Sequence, residues 1–117
     1  PPIEYKTATD SETYTVGEAL KVASGAVTKC TGATKPAYVC VGPVNAMGEV
    51  PCVAVQDYME FETTLGVAPA ESATVSVGNK LTIHTDGASV TATTTNGVAE
   101  VLAIDGQTVG SRVVVRF

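Results

Sequence analysis

The chain has 117 residues, with seven Lys plus Arg against twelve Asp plus Glu and a net charge of −5. That length fits one domain, and the few scattered cations form no basic stripe, so phosphate-neutralising nucleic-acid binding is excluded as a main function. Charged residues make up 16% and mean hydropathy is +0.22, yet no apolar run approaches the roughly 18 to 20 residues of a membrane helix. The partners expected of such a surface are other protein chains, neither nucleic acid nor membrane.

Residues 1–14, PPIEYKTATDSETY, are polar, open on two prolines and hold no sustained period. They read as an extended N-terminal arm, and residues 15–117 as the folded domain. A chain that begins at Pro1 is compatible with removal of an initiator Met and with processing. From Thr15 a pattern sets in. Thr15-Val16-Gly17 opens a strand over residues 19–22, Ser24-Gly25 turns it, and residues 26–30 return. Turn dipeptides ending in Gly suit tight hairpins, because the turn needs positive φ. Residues 37–41 follow as a further strand, then a loop, GPVNAMGE, over 42–49.

Two strands are predicted next. One spans 50–55, with Pro51 pushing its start to a sheet edge. The other spans 58–65, where Met59, Phe61, Thr63 and Leu65 alternate with Tyr58, Glu60, Glu62 and Thr64. That alternation marks a half-exposed antiparallel strand. Residues 66–74 form a loop with room for one helical turn.

The opening phrase then recurs. Ser76-Val77-Gly78 leads into residues 80–85, Asp86-Gly87 turns, and residues 88–95 return. Leu20 and Val27 are seven apart, Leu81 and Val90 nine, so the second hairpin is longer by one residue on each strand. A Thr/Gly-rich turn and an apolar strand follow each hairpin, which reads as an internal duplication of a three-strand unit. Thr108-Val109-Gly110 carries the phrase a third time, before a closing strand, RVVVRF, over 112–117. Nine or so short strands bounded by glycine turns predict an all-β, single-domain antiparallel barrel or a two-sheet sandwich.

Chemistry-bearing groups are sparse. The lone His84 and Asp86 project to one side of an extended strand, which would let Asp86 orient a general base; a solvent-facing pair near a hairpin tip is the plainer reading. Glu60 and Glu62 share a strand face without an aromatic platform for sugar chemistry. Cys30, Cys40 and Cys52 form no CxxC and read as three reduced, buried thiols. The glycines fit neither GxGxxG nor GxxxxGK[ST]. No catalytic residue, cofactor or metal is therefore expected. Candidate contact residues are Ile3, Tyr5, Lys6 and Tyr14 on the arm, Val44 and Met47 in the loop after the 37–41 strand, the 66–73 loop, and Arg112 and Arg116 on the last strand.

The stretch TVGEALKVASGAVTKCTGATKPAYVCVG, with FETTL, SVGNKLTIHTDG, TATTTNGVAEV and VGSRVVVRF, resembles the head-decoration (capsid cement) proteins of tailed bacteriophages over residues 15–117. The resemblance lies in length, Ala/Val/Thr/Gly-rich composition and repeated Val-Gly strand openings. It implies a β-barrel or β-tulip domain on the capsid exterior, often as homotrimers, with an N-terminal arm reaching the major capsid protein or a neighbouring subunit. The expected function is non-enzymatic capsid stabilisation in the virion, after synthesis in the host cytoplasm. A tail or spike module and a carbohydrate-binding β-barrel are the alternatives.

Overall fold

The computed structural model describes residues 2–117; Pro1, the first residue of the expected arm, lies outside the described residues. The described residues are all-β and form two antiparallel sheets. The strands are β1 (Glu4–Thr7), β2 (Ala19–Ala23), β3 (Ala26–Lys29), β4 (Tyr38–Cys40), β5 (Glu49–Ala54), β6 (Phe61–Thr64), β7 (Lys80–Leu81), β8 (Ala99–Ile104) and β9 (Arg112–Arg116). The first sheet has the order β1-β5-β4-β2-β3 and the second β6-β9-β8-β7.

These two orders are one topology used twice. Gly17 and Gly78, and Leu20 and Leu81, each stand 61 positions apart, and their backbone bonds match. Gly17 N donates to Cys40 O at 2.8 Å, and Gly78 N to Val101 O at 2.8 Å. Ala37 N donates to Leu20 O at 2.9 Å, and Val98 N to Leu81 O at 3.0 Å. Cys40 faces Cys52 across β4 and β5, as Val101 faces Val115 across β8 and β9. A single parallel bridge also recurs: Ala8, just after β1, pairs with Val27 of β3, and Leu65, just after β6, pairs with Val90 in the segment that follows β7.

The repeat is therefore larger than the three strands expected. It takes in β1 to β5 and then β6 to β9. Residues 4–7 form an ordinary strand, β1, laid on β5 from Glu4 opposite Cys52 to Thr7 opposite Glu49. The rest of the segment is fastened to β3. Thr9 Oγ1 and Tyr14 Oη both donate to Val27 O, at 2.9 and 2.6 Å, and Glu12 accepts from Thr28 Oγ1 and Lys29 N. Likewise β9 is the counterpart of β5, not an added closing strand.

Two further local expectations change. β5 lies between β1 and β4, not at an edge. Pro51 is tolerated there because it faces the end of β4: its carbonyl still accepts from Val41 N, and the only ladder bond its missing N–H forgoes is the reciprocal one to Val41 O, just past the last residue of β4. The return strand expected over 88–95 shrinks to bridges at Val90. Its donors are diverted: Asp86 takes the N–H of Ala88 and Ser89, and Thr91 Oγ1 takes that of Thr93.

The Val-Gly phrase is a tight turn in all three places. Glu18, Asn79 and Ser111 N–H donate to the carbonyls of Thr15, Ser76 and Thr108, each at 3.0 Å. The central glycines have φ of +90°, +94° and +92°, the third position of a type II turn, where a Cβ is disfavoured. The fourth side chain then accepts from the first residue's N–H: Glu18 Oε1 at 3.2 Å, Asn79 Oδ1 at 2.8 Å and Ser111 Oγ at 3.2 Å.

Each sheet wraps its own core. Leu20, Val27, Cys40, Val50 and Cys52 fill the first; Leu65, Val75, Leu81, Val101, Val113 and Val115 are among those that fill the second. Full burial of each such aliphatic chain contributes roughly 1.5–3 kcal/mol. A third small cluster, Ala19, Cys30 and Ile83 with Val98 and Phe117, joins the repeats. The molecule is elongated, 48 × 28 × 22 Å.

Candidate interaction surface

The junction between the repeats is the best guide to what this fold binds. The second repeat opens a groove walled by Phe61, Thr63, Ile83, Ala88 and Val90, and the first repeat's Ala19 and Val39 enter it. Backbone bonds seal the contact. Ala19 N donates to Gly87 O at 2.7 Å, while Gly32 and Ile83 exchange bonds of 2.8 and 2.9 Å. Gly87, at φ +70°, lies so close to the first repeat that a Cβ would overlap the Lys29 side chain and crowd that of Glu18.

The first repeat carries the same groove, open to solvent. It is lined by Tyr5, Lys6, Thr7, Val22, Ala26, Val27 and Tyr38. Val22 is the counterpart of Ile83, and Val27 of Val90. Ile83 is 4% exposed beneath the junction, whereas Val22 is 56% exposed and Tyr5 57%. Lys6 Nζ lies 3.1 Å from Glu4 Oε1 and 5.3 Å from the Tyr38 ring centroid. Hydrogen bonds to Glu4 and then Tyr38 raise the Lys6 pKa, so the groove rim holds a charged ammonium, paired with Glu4, over the Tyr38 ring.

No family model matches the chain, and no curated protein or solved structure matches it.

The outer faces of the repeats differ in a way that fits their surroundings. Ala19 and Val39 are buried; their counterparts are Lys80, exposed, and Glu100, half-buried and 3.3 Å from Arg116. The covered face is apolar and the uncovered one charged.

Of the residues singled out from sequence, Tyr5 and Lys6 meet in the groove. Ile3 stands just before β1, 54% exposed. Tyr14 fastens the chain to β3 through its hydroxyl. Val44 and the strongly exposed Met47 sit in the β4–β5 loop and do not line the groove. Arg112 pairs with Glu62 at 2.8 Å and Asp105 at 3.7 Å, and Arg116 with Glu100. Val22 and Tyr38 were not singled out. Only the comparison of Val22 with Ile83 and of the two sheet faces reveals them.

The chemical candidates take structural posts. Asp86 accepts from Ala88 N, Ser89 N and Ser89 Oγ at 2.9–3.0 Å. Desolvation pushes its pKa up, but those donors outweigh it and, with His84, hold it below the usual range. The His84 ring lies over Gly66. Glu18 is almost wholly buried under the second repeat's hairpin; its Oε2 has no partner. Burial raises its pKa, opposed by the Thr15 N–H and Lys29. Among the described residues, no cluster of three or more His, Cys, Asp or Glu could hold a metal ion.

Proposed function

We propose that this chain is a non-enzymatic virion structural protein that binds the outer surface of a bacteriophage capsid and stabilises it by bridging major capsid protein subunits. The observation that carries this reading is the open groove of the first repeat. Its counterpart in the second repeat already clasps a pair of strands through small and branched apolar side chains and main-chain bonds. An extended segment of a capsid subunit, added at the Val22 edge, would repeat that contact. The charged outer face of the second repeat suits exposure to solvent, and the acidic balance suits a position away from packaged DNA. Closure of each repeat into a small barrel through its single parallel bridge, and trimers at three-fold positions of the shell, belong to the same proposal.

Purified protein added to undecorated capsids of the encoding phage should co-sediment with them and raise their thermal midpoint. Absence of co-sedimentation at saturating protein would exclude the reading.

A further inference from the structure

The two repeats differ at one buried cross-strand position. In the second, Val101 faces Val115; in the first, Cys40 faces Cys52. Both cysteines are fully buried thiols, and residues directly opposite in an antiparallel pair project to the same face of the sheet. The neighbouring pair, Val41 and Pro51, is joined by a backbone bond of 2.9 Å, so alternation makes Cys40 and Cys52 a non-hydrogen-bonded pair. Such pairs hold their Cα atoms about 4.5 Å apart, inside the roughly 4.4–6.8 Å that a disulfide spans. Cys30 belongs to a different cluster, and its Sγ donates to Thr34 O.

We propose that Cys40 and Cys52 are a built disulfide site, a covalent staple between β4 and β5 that forms when the chain folds in the presence of a low-molecular-weight disulfide. One cysteine thiolate attacks the small disulfide and releases one thiol. The second cysteine attacks the mixed disulfide and releases the other. The protein gives up two protons and two electrons to the reagent, which leaves as two thiols. In the folded, reduced chain the pair is protected: burial raises both thiol pKa values, and Cys52 Sγ lies under β1, near Glu4 O. Exchange therefore belongs to folding or to opening of β1. The staple does not depend on what the groove binds.

Refolding from denaturant in an oxidised/reduced glutathione buffer, followed by peptide mapping, tests it. Three pairings are open to the unfolded chain, and loop statistics favour Cys30–Cys40 over Cys40–Cys52 by only about 1.3-fold. A monomer 2 Da lighter, with Cys40 joined to Cys52 in excess and Cys30 alkylated after denaturation, supports the site. Its thermal midpoint should exceed that of the reduced chain. The double variant Cys40→Val, Cys52→Val, copied from the second repeat, should not respond to the buffer. A majority of disulfides through Cys30, a failure to form an intramolecular bond, or a lower midpoint on oxidation would overturn it. If the double variant does not fold, the wild-type map decides alone.

Discussion

Glu18 shows how far a residue's role depends on what lies over it. At the same place in the second repeat stands Asn79, less buried and bonded to its own turn. Glu18 makes the matching bond to Thr15 N but is roofed by the second repeat, and its other oxygen is left without a partner. An acid whose folded pKa is raised binds its proton more tightly folded than unfolded. Its contribution therefore declines as pH rises from the usual carboxylate range through the folded pKa. Asp86 behaves oppositely: its folded pKa is depressed, and its contribution is lost as pH falls through that value. Glu18→Gln should stabilise the protein at pH 8 by about 1–3 kcal/mol, since an ionised buried oxygen without a partner is removed. The advantage should shrink at pH 4. Chemical denaturation at both pH values checks this; equal stability of variant and wild type at pH 8 would contradict it. Nothing in the sequence marks Glu18 as buried, because its cover comes from residues about 70 positions away. His84 and Asp86 were legible as a hairpin-tip pair. The turn around Ser89 that occupies Asp86 was not, since side-chain bonds of that kind compete with a ladder the apolar pattern alone suggests.

At the scale of elements, the Val-Gly phrase announced the strand openings because a type II turn needs positive φ at its third position. Its third copy marks the turn before β9, the counterpart of the Met47-Gly48 corner before β5; the strand expected there is present, but it completes the second repeat where the sequence reading had it sealing the fold. Alternation found β6, and turn glycines found β2, β3, β4 and β8. The partnership of β1 with β5 lay beyond that kind of reading. Register between strands 45 residues apart depends on which faces meet, and the polar arm sequence shows no face of its own. The consequence is testable. An arm that merely reached outward could be removed without harm. Deleting residues 1–8 here strips β1 from β5, breaks the bridge from Ala8 to Val27 and uncovers Cys52. The truncated chain should lose more than about 3 kcal/mol, with a midpoint far below that of the full chain by circular dichroism. A midpoint within a degree or two of the wild type would show β1 to be dispensable.

The whole molecule is one β unit written twice, and its two copies have diverged where their surroundings differ. Alanine and valine occupy the face that the second repeat covers; at the same positions of the second repeat stand an exposed lysine and a half-buried glutamate. By that logic an exposed valine in a groove whose twin is filled calls for an explanation outside the chain. Val22 keeps the apolar character of Ile83 yet remains largely solvent-exposed, beside Tyr5 and Tyr38. The duplication was partly legible from the repeated phrase, but the groove was not, because it exists only once the two hairpins can be compared in space.

Co-sedimentation of Val22→Asp with undecorated capsids tests the central claim most directly. The substitution places a charge at an exposed position, so the fold should hold, with a change within about 0.5 kcal/mol. The account predicts that wild-type protein sediments with the capsids while the folded variant stays in the supernatant. A Val22→Asp protein that binds as well as the wild type would contradict the groove as the docking surface.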